Sequence, residues 1–457
     1  MGALSRKKGV HTIIQESTPR KAELRAQSSK LRAQSSELKK FCVIGAGSTY
    51  TPEFVEGLID RPEMPIRELA LMDVNQERLE ILGELARRMF RAAGMDDPVT
   101  LTPDRRKAID GADFVLNQIR VGGQAARIRD EKIGRVHDVI GQETTGPGGF
   151  AKALRTIPVA LQIARDVREL APQAWMINFT NPAGMVTESL LRYGGVKAMG
   201  LCNSPYGLQV GIAQALKVEA EHVRIDYVGL NHLAWVRRIF LDGQDCTECV
   251  IQEMVQTGES RTDPFDPELI QAFGMIPSSY LQYFYHEQRI LAEQRARGKT
   301  RGEQVWEIEQ QLLEMYRDPA LCCKPPLLAK RGGAHYSTLA VSLVAAIAND
   351  SGEVHIVDCR NNGALPDLPD NVAVELPAVI DRQGAHPVAA GCLPFSIRGL
   401  VQHVKAYEEL TIEAAMTGEE RTALLALTAN PLVPSFDAAR ELWHDIREAN
   451  ADYLPQF

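Results

Sequence analysis

The run Phe41-Cys-Val-Ile44 and the Gly45-Ala-Gly47-Ser48-Thr49-Tyr50-Thr51-Pro52 that follows it constrain this chain more than any other stretch. Four consecutive apolar residues read as a buried strand, and Gly-x-Gly straight after it as a tight turn into a helix. Thr51 is placed to cap that helix and Pro52 to fill its first position. Such a turn lets a pyrophosphate approach backbone N–H groups at a helix N-terminus. The third glycine of the G-x-G-x-x-G pattern is replaced by Tyr50. A second strand, Leu69-Ala-Leu-Met72, ends at Asp73, 26 residues beyond Gly47. An acid there accepts from ribose hydroxyls and repels a 2′-phosphate, which favours NAD over NADP. Gly45, Gly47, Ser48, Thr49 and Asp73 are therefore the candidate cofactor-binding residues.

Strand and helix patterns then alternate. An amphipathic helix is expected over residues 77 to about 93, strands at Val99-Thr-Leu101 and Phe114-Val-Leu-Asn117, and a short helix over 105–109. Short links between alternating elements mean a parallel, doubly wound sheet of the Rossmann type. A glycine-dense loop runs from Arg120-Val-Gly-Gly123 to Gly141-Gln-Glu-Thr-Thr-Gly-Pro-Gly-Gly149, and a helix over 151–170 leads to strand Trp175-Met-Ile177. After His232, longer helices and Trp and Tyr clusters point to a second lobe of α+β character. The expected division is an extension over residues 1–38, a dinucleotide-binding domain over 39–203, and a substrate, metal and oligomerisation domain over 204–457. Within the extension, Leu24-Arg-Ala-Gln-Ser-Ser29 recurs as Leu31-Arg-Ala-Gln-Ser-Ser36, a polar repeat with no apolar face to bury, read as disordered or a frayed helix.

A formal net charge of −8 argues against nucleic acid or an anionic membrane surface as partner. No apolar run approaches the roughly 20 residues a membrane helix needs, and the N-terminus lacks the apolar core of a signal peptide. Eight scattered cysteines without a disulfide framework fit a reduced, cytoplasmic compartment. Cys246-Thr-Glu-Cys249 has no second pair near it and reads as surface.

A series of polar residues falls at successive loop ends: Arg120, Arg127, Glu143, Asn181, Cys202-Asn203 and Asn231-His232. Cys202 follows a short apolar strand over 196–201, and His232 lies thirty residues further on. The carboxyl ends of strands are where an open α/β sheet binds ligands. On spacing alone, Cys202 and His232 read more readily as core residues than as metal ligands, and a plain dehydrogenase would take its proton-shuttling histidine from His137 or His232.

Taken in order, these motifs closely resemble glycoside hydrolase family 4, the NAD- and divalent-metal-dependent 6-phospho-glucosidases and α-galactosidase-like enzymes. The resemblance rests on Ile119-Arg-Val-Gly-Gly123, Asp130-Glu131, the 141–149 loop, Leu154-Arg-Thr-Ile-Pro158, Asn178-Phe-Thr-Asn-Pro182, Leu201-Cys-Asn203 and Gly229-Leu-Asn-His232. It continues through Pro277-Ser-Ser-Tyr-Leu-Gln-Tyr283, Arg331-Gly-Gly-Ala-His-Tyr-Ser337, Asn361-Asn-Gly363 and Leu376-Pro377. The resemblance implies a lactate/malate-dehydrogenase-like NAD domain and hydrolysis by transient oxidation at sugar C3. Proton removal at C2, elimination, water addition and re-reduction complete the cycle, outside the two-carboxylate rule of most glycosidases. It implies Cys202 and His232 as ligands of Mn²⁺ or another divalent ion, and Tyr280 as the base. Arg127, Asn181 and Arg301 are implied as contacts to sugar hydroxyls and phosphate. Glu143 is given no step. The residue after the cysteine sorts the family. Cys-Asp marks 6-phospho-α-glucosidases and Cys-His the α-galactosidase and α-glucosidase types. Cys202-Asn203-Ser204-Pro205 is similar to the Cys-Asn-Val-Pro of 6-phospho-β-glucosidases, with Ser204 a departure. The expected substrate is a phosphorylated disaccharide such as cellobiose-6-phosphate, and the expected assembly a homodimer or homotetramer. The rival readings are a family member for another sugar (a 6-phospho-α-glucoside, α-galactoside or uronide), a plain NAD-dependent dehydrogenase, and a non-catalytic NAD sensor.

Overall fold

The computed structural model describes residues 38–61, 64–257, 265–332 and 336–457. Residues 1–37 of the expected extension, and Gly333, Ala334 and His335 of the 331–337 motif, lie outside the described residues. Six parallel strands open the fold: β1 (Lys39–Ile44), β2 (Ile66–Met72), β3 (Val99–Thr102), β4 (Phe114–Asn117), β5 (Trp175–Asn178) and β6 (Lys197–Gly200). Their spatial order is β3-β2-β1-β4-β5-β6. Each is paired in parallel with its neighbour. β1, β4 and β5 bury nearly every residue, as strands covered by helices on both faces do. Phe41 stacks on Phe114 across β1 and β4 (centroids 5.5 Å apart) and meets Phe54 of helix Thr51–Ile59 edge-on (6.0 Å). The chain order reverses between β1 and β4, which opens a crevice at their carboxyl ends.

The second lobe does not build a sheet of its own. Its strands are β7 (Val223–Leu230), β8 (Leu233–Leu241), β9 (Gln244–Asp245), β10 (Ile276–Pro277), β11 (Glu353–Arg360), β12 (Ala373–Asp381) and β13 (Gly384–Pro387). β11 joins the edge of β6 antiparallel, Asp358 opposite Gly200, and the ladder continues through β12, β7, β8 and β10. The result is one thirteen-stranded sheet, parallel in its first half and antiparallel in its second. The open edge that β6 would otherwise present is thereby paired, which removes an aggregation hazard. No helix of the described residues is long and apolar enough to cross a membrane.

Two local expectations are corrected. Thr51 does not cap its helix but is its first residue, after Tyr50, and its hydroxyl donates to the Ala46 carbonyl at 2.7 Å. The tight Gly45–Gly47 turn folds that carbonyl back over the helix start. The helix expected over 151–170 begins five residues earlier and spans Gly146–Leu170. Its first turn is glycine because that turn runs against backbone. A Cβ on Gly148 would lie 2.1 Å from the Gln142 carbonyl oxygen, and one on Gly149 2.4 Å from that of Thr144. Neither carbonyl can yield without unwinding the 141–145 segment. Gly148→Ala is therefore expected to destabilise the protein by about 1–3 kcal/mol, the usual cost of overpacking, seen as a lower urea midpoint at unchanged slope.

Candidate active site: a dinucleotide cleft beside a buried cysteine–histidine pair

A cleft of about 680 Å³ opens at the carboxyl ends of β1, β2 and β4, lined in part by Gly45, Gly47, Ser48, Asp73, Gln118 and Asn181. Gly45 has φ +91°, and a Cβ there would lie 2.9 Å from the Gln118 carbonyl oxygen. Asp73 closes the loop onto β2: its Oδ2 accepts from Gly47 N at 2.8 Å and its Oδ1 from Asn75 N at 2.8 Å. A Cβ on Gly47 would strike that carboxylate at 2.8 Å. Thr49 is fully buried beneath the loop and does not line the cleft; its carbonyl accepts from the Tyr316 hydroxyl at 2.9 Å. Tyr50, where a third glycine was missing, packs its ring under the Arg331 guanidinium at 4.1 Å. The substitution is thus absorbed by a cation–π contact at the cleft wall.

At the inner end of the cleft, charges converge on Glu143. Its carboxylate meets Arg120 at 2.6 Å, Lys152 at 3.0 Å and Arg127 at 3.2 Å. Arg120 and Lys152 line the cleft. Arg127 is buried and also pairs with Glu131 at 2.8 Å, whose second oxygen accepts from Gly302 N at 2.7 Å. Burial alone would raise the Glu143 carboxyl; Arg120, Arg127 and Lys152 outweigh it and hold the group well below its usual range. Burial, aided by Arg120 and opposed by Glu143, pushes the Lys152 ammonium down to about 7.

Cys202 stands two residues past β6. Its Sγ is 3.5 Å from His232 Nε2 and 3.2 Å from Ser204 Oγ. His232 occupies the two-residue turn between β7 and β8 with φ +63°, a left-handed conformation uncommon for a side chain of this size. The Tyr280 ring stacks flat on the imidazole, centroids 3.7 Å apart and planes 6° apart, and Tyr283 meets Tyr280 edge-on. Burial pushes His232 down to about 3, so the imidazole is neutral at ordinary pH, and pushes the Cys202 thiol up. Burial, and then the nearby Cys202 and Tyr283, push the Tyr280 phenol well above its ordinary value, while Arg127 pulls it down. A thiolate and a neutral imidazole suit a first-row divalent ion. Donors roughly 2.3 and 2.1 Å from a zinc-sized ion at a tetrahedral angle lie about 3.6 Å apart, close to the observed 3.5 Å. Among the described residues no group of three or more His, Cys, Asp or Glu side chains is set to hold a metal, so the remaining positions fall to other donors.

The structure therefore gathers Arg127, Cys202, His232 and Tyr280 around Glu143, with Asn181 and the glycine loop on the cleft side. Arg301 precedes Gly302, whose N–H donates to Glu131, the partner of Arg127. It is exposed, at the start of helix Arg301–Arg317, and donates to the carbonyls of Lys330 and Arg331 at 3.1 and 3.3 Å. Asn203 is partly exposed at the start of helix Ser204–Leu216. Sequence reasoning missed Lys152, which sits on the inward face of its helix with no flanking motif. It also missed Asp358 and Glu375, whose signal is a lone acid inside an otherwise apolar strand (Val-Asp358-Cys and Val-Glu375-Leu). Cys246–Cys249 holds to the surface reading: Cys249 is exposed, and the Cys246 thiol donates to the Ile239 carbonyl.

Fold and site together define an enzyme of the dinucleotide-binding α/β class, with a buried Cys202–His232 pair beside its cleft. Models of the family 4 glycosyl hydrolases and of their C-terminal domain match residues 40–218 and 227–433. The chain belongs to glycoside hydrolase family 4. It is 47% identical over 431 residues to a probable 6-phospho-beta-glucosidase of Bacillus subtilis, covering 92% of this chain and 98% of the relative. It is 38% identical to the 6-phospho-beta-glucosidase of Escherichia coli, covering 92% and 96%. The 6-phospho-beta-glucosidase of Thermotoga maritima, solved with manganese, NAD⁺ and glucose-6-phosphate, superposes with TM-score 0.85 at 35% identity, covering 90% of this chain and 98% of that one.

Glu143 is the carboxylate on which three cations depend. Glu143→Gln leaves Arg120, Arg127 and Lys152 facing one another, and breaking a buried pair in this way is expected to cost about 3–5 kcal/mol. In the wild type, a carboxyl held low contributes stability that is present above its unfolded value and lost as pH falls through its folded one. Urea midpoints measured from pH 7 downward should show a shallower acid decline for Glu143→Gln than for the wild type.

Proposed function

We propose that this protein hydrolyses 6-phospho-β-glucosides, releasing glucose-6-phosphate, by a redox-assisted elimination that uses NAD⁺ and Mn²⁺. The observation that carries this reading is the continuity of the site: the dinucleotide cleft ends at Arg120, Lys152 and Asn181, and Glu143 bridges these cations to Arg127 beside the Tyr280–His232–Cys202 stack. The named activities of the Bacillus and Escherichia relatives and the ligands of the Thermotoga structure support it. When bound, NAD⁺ supplies a hydride acceptor that later returns the hydride, and the divalent ion supplies positive charge where the sugar becomes electron-rich.

The chain's own residues do the rest. The loop Gly45–Ser48 and Asp73 hold the dinucleotide. Cys202, as thiolate, and His232, already neutral, hold the ion. Tyr280 Oη takes the proton from sugar C2. A buried phenol is a weak base at pH 7, so its activation needs positive charge close by. Arg127 supplies part of it, and an ion held by His232, the ring stacked on Tyr280, would supply more. Arg127 and Asn181 contact sugar hydroxyls. Arg301, exposed and forked, takes the phosphate, which a guanidinium binds through two oxygens. Asn203 cannot donate a proton as an acid, so the aglycone departs with help from water, which suits a β-linked leaving group. All eight cysteines are free thiols, in keeping with a reduced cytosol. We also propose that the catalytic unit divides near residue 203 into a dinucleotide-binding part and a substrate part that share the sheet.

A panel of 4-nitrophenyl α- and β-glucosides, with and without a 6-phosphate, tests the reading. Hydrolysis is expected for the 6-phospho-β-glucoside and to require NAD⁺, Mn²⁺ and a thiol reductant. Turnover that survives complete removal of NAD⁺, or a preference for the unphosphorylated sugar, refutes it. Tyr280→Phe should lower kcat about 10²–10⁴-fold, the range for a general base, without weakening NAD⁺ binding.

A further inference from the structure

Behind the Cys202–His232 pair, the sheet carries two buried acids that the proposed chemistry does not use. Asp358 on β11 lies directly opposite Glu375 on β12. Asp358 is also opposite Gly200 on β6, and Glu375 opposite Gly229 on β7. These glycines stand two and three residues before Cys202 and His232. The acids are 1% and 0% exposed. A Cβ on Gly200 would lie 2.7 Å from Asp358 Oδ2, so the missing side chain is the space the carboxylate fills.

The charge in this layer is not balanced by the chain. Both Asp358 oxygens lack a hydrogen-bond partner among the described residues. Glu375 accepts from two neutral donors, Tyr227 OH at 3.1 Å and Asn231 Nδ2 at 3.0 Å. The nearest buried ammonium, Lys405, is held by Glu188 at 2.7 Å and Glu408 at 2.6 Å. Burial, and for Asp358 the facing Glu375, push both carboxyls up, Glu375 to about 7, so without a cation the pair holds a proton between them that a cation would displace. Such a pair calls for a cation, and the site it backs is the one read above as holding a divalent ion. Asn231, which donates to Glu375, is the residue next to His232 in the same turn.

We propose that Asp358 and Glu375 are positioning residues for the divalent ion. Their charge, set behind the ligands, holds a hard cation on a site whose own ligands are a soft thiolate and an imidazole, and Glu375 fixes the Asn231-His232 turn. The proposal rests on the metal reading of Cys202 and His232.

The test is Mn²⁺ binding, followed by the electron paramagnetic resonance of free Mn²⁺ in the presence of NAD⁺, with no turnover involved. Wild type, Cys202→Ser, Asp358→Asn and Glu375→Gln are compared, with NAD⁺ affinity and unfolding temperature measured in parallel. Asp358→Asn keeps the side-chain shape, so it stands as the decisive variant even if Glu375→Gln folds poorly. Expected is Mn²⁺ binding about 10–100-fold weaker for Asp358→Asn, as for lost supporting groups at other metal sites. NAD⁺ affinity should be unchanged and the unfolding temperature equal or higher, because a buried acid is removed. Wild type that binds Mn²⁺, loses it in Cys202→Ser and keeps it in Asp358→Asn overturns this inference alone. Mn²⁺ affinity that falls only in step with NAD⁺ affinity and thermal stability also overturns it, because that is the mark of a structural role. Wild type that binds no Mn²⁺ overturns the metal reading and this inference with it.

Discussion

The pairing of β11 with the edge of β6 is the contact on which the site depends. Without it, Cys202 would end a parallel sheet with open space beside it, and His232 would sit in a hairpin of another lobe. With it, β6, β11, β12 and β7 run side by side, and the turns that follow β6 and β7 come out together. The 3.5 Å between Cys202 Sγ and His232 Nε2 is a consequence of that register. A one-residue slip in either ladder would turn every side chain of the slipped strand to the opposite face, so Cys202 and His232 are held by the hydrogen bonds of the sheet rather than by loops.

The cleft and the ligand pair are joined by charge. Glu143 draws three cations to one point, and two of them form the inner wall of the cleft. The surplus of positive charge favours anionic groups of cofactor and substrate. Burial first, and then the neighbouring Arg120, push Lys152 down, so it is the cation that gives way first while both guanidinium groups stay charged at any ordinary pH.

The parallel half of the fold was legible because its signals are local. Apolar runs, the Gly-x-Gly turn and Asp73 each stand within a few residues of what they determine, and all six strands fell where the pattern put them. The helix start at Gly146 was not legible, because only packing reveals that glycines 148 and 149 are there to pass carbonyls and not to make a loop. Thr49 read as cofactor-binding by adjacency, but side-chain direction within a turn is a tertiary fact, and it points inward. The meeting of Cys202 with His232 came from ordered motifs, since spacing alone favoured a core reading. The second lobe's merger with the first sheet had no local signal at all: an edge strand does not announce its partner 158 residues away, as Asp358 and Gly200 are.

One consequence concerns the order in which the site becomes active. In the chain by itself, the imidazole is neutral, the thiol is held protonated and the phenol is held high, all by burial. Only the first of these is already the form a metal ligand needs. The thiol must lose its proton to bind an ion, so uptake of the ion and release of that proton are linked. In the proposed mechanism an ion on that pair would also bear on Tyr280, whose ring stacks on His232 with centroids 3.7 Å apart. The base is thus made by the ligand site and not by its own surroundings. A chain whose cleft is filled but whose Cys202–His232 pair is not would hold its cofactor and lack a base to remove a proton. In the proposed mechanism, that dependence would keep an NAD-binding site from acting on sugars until the ion is in place.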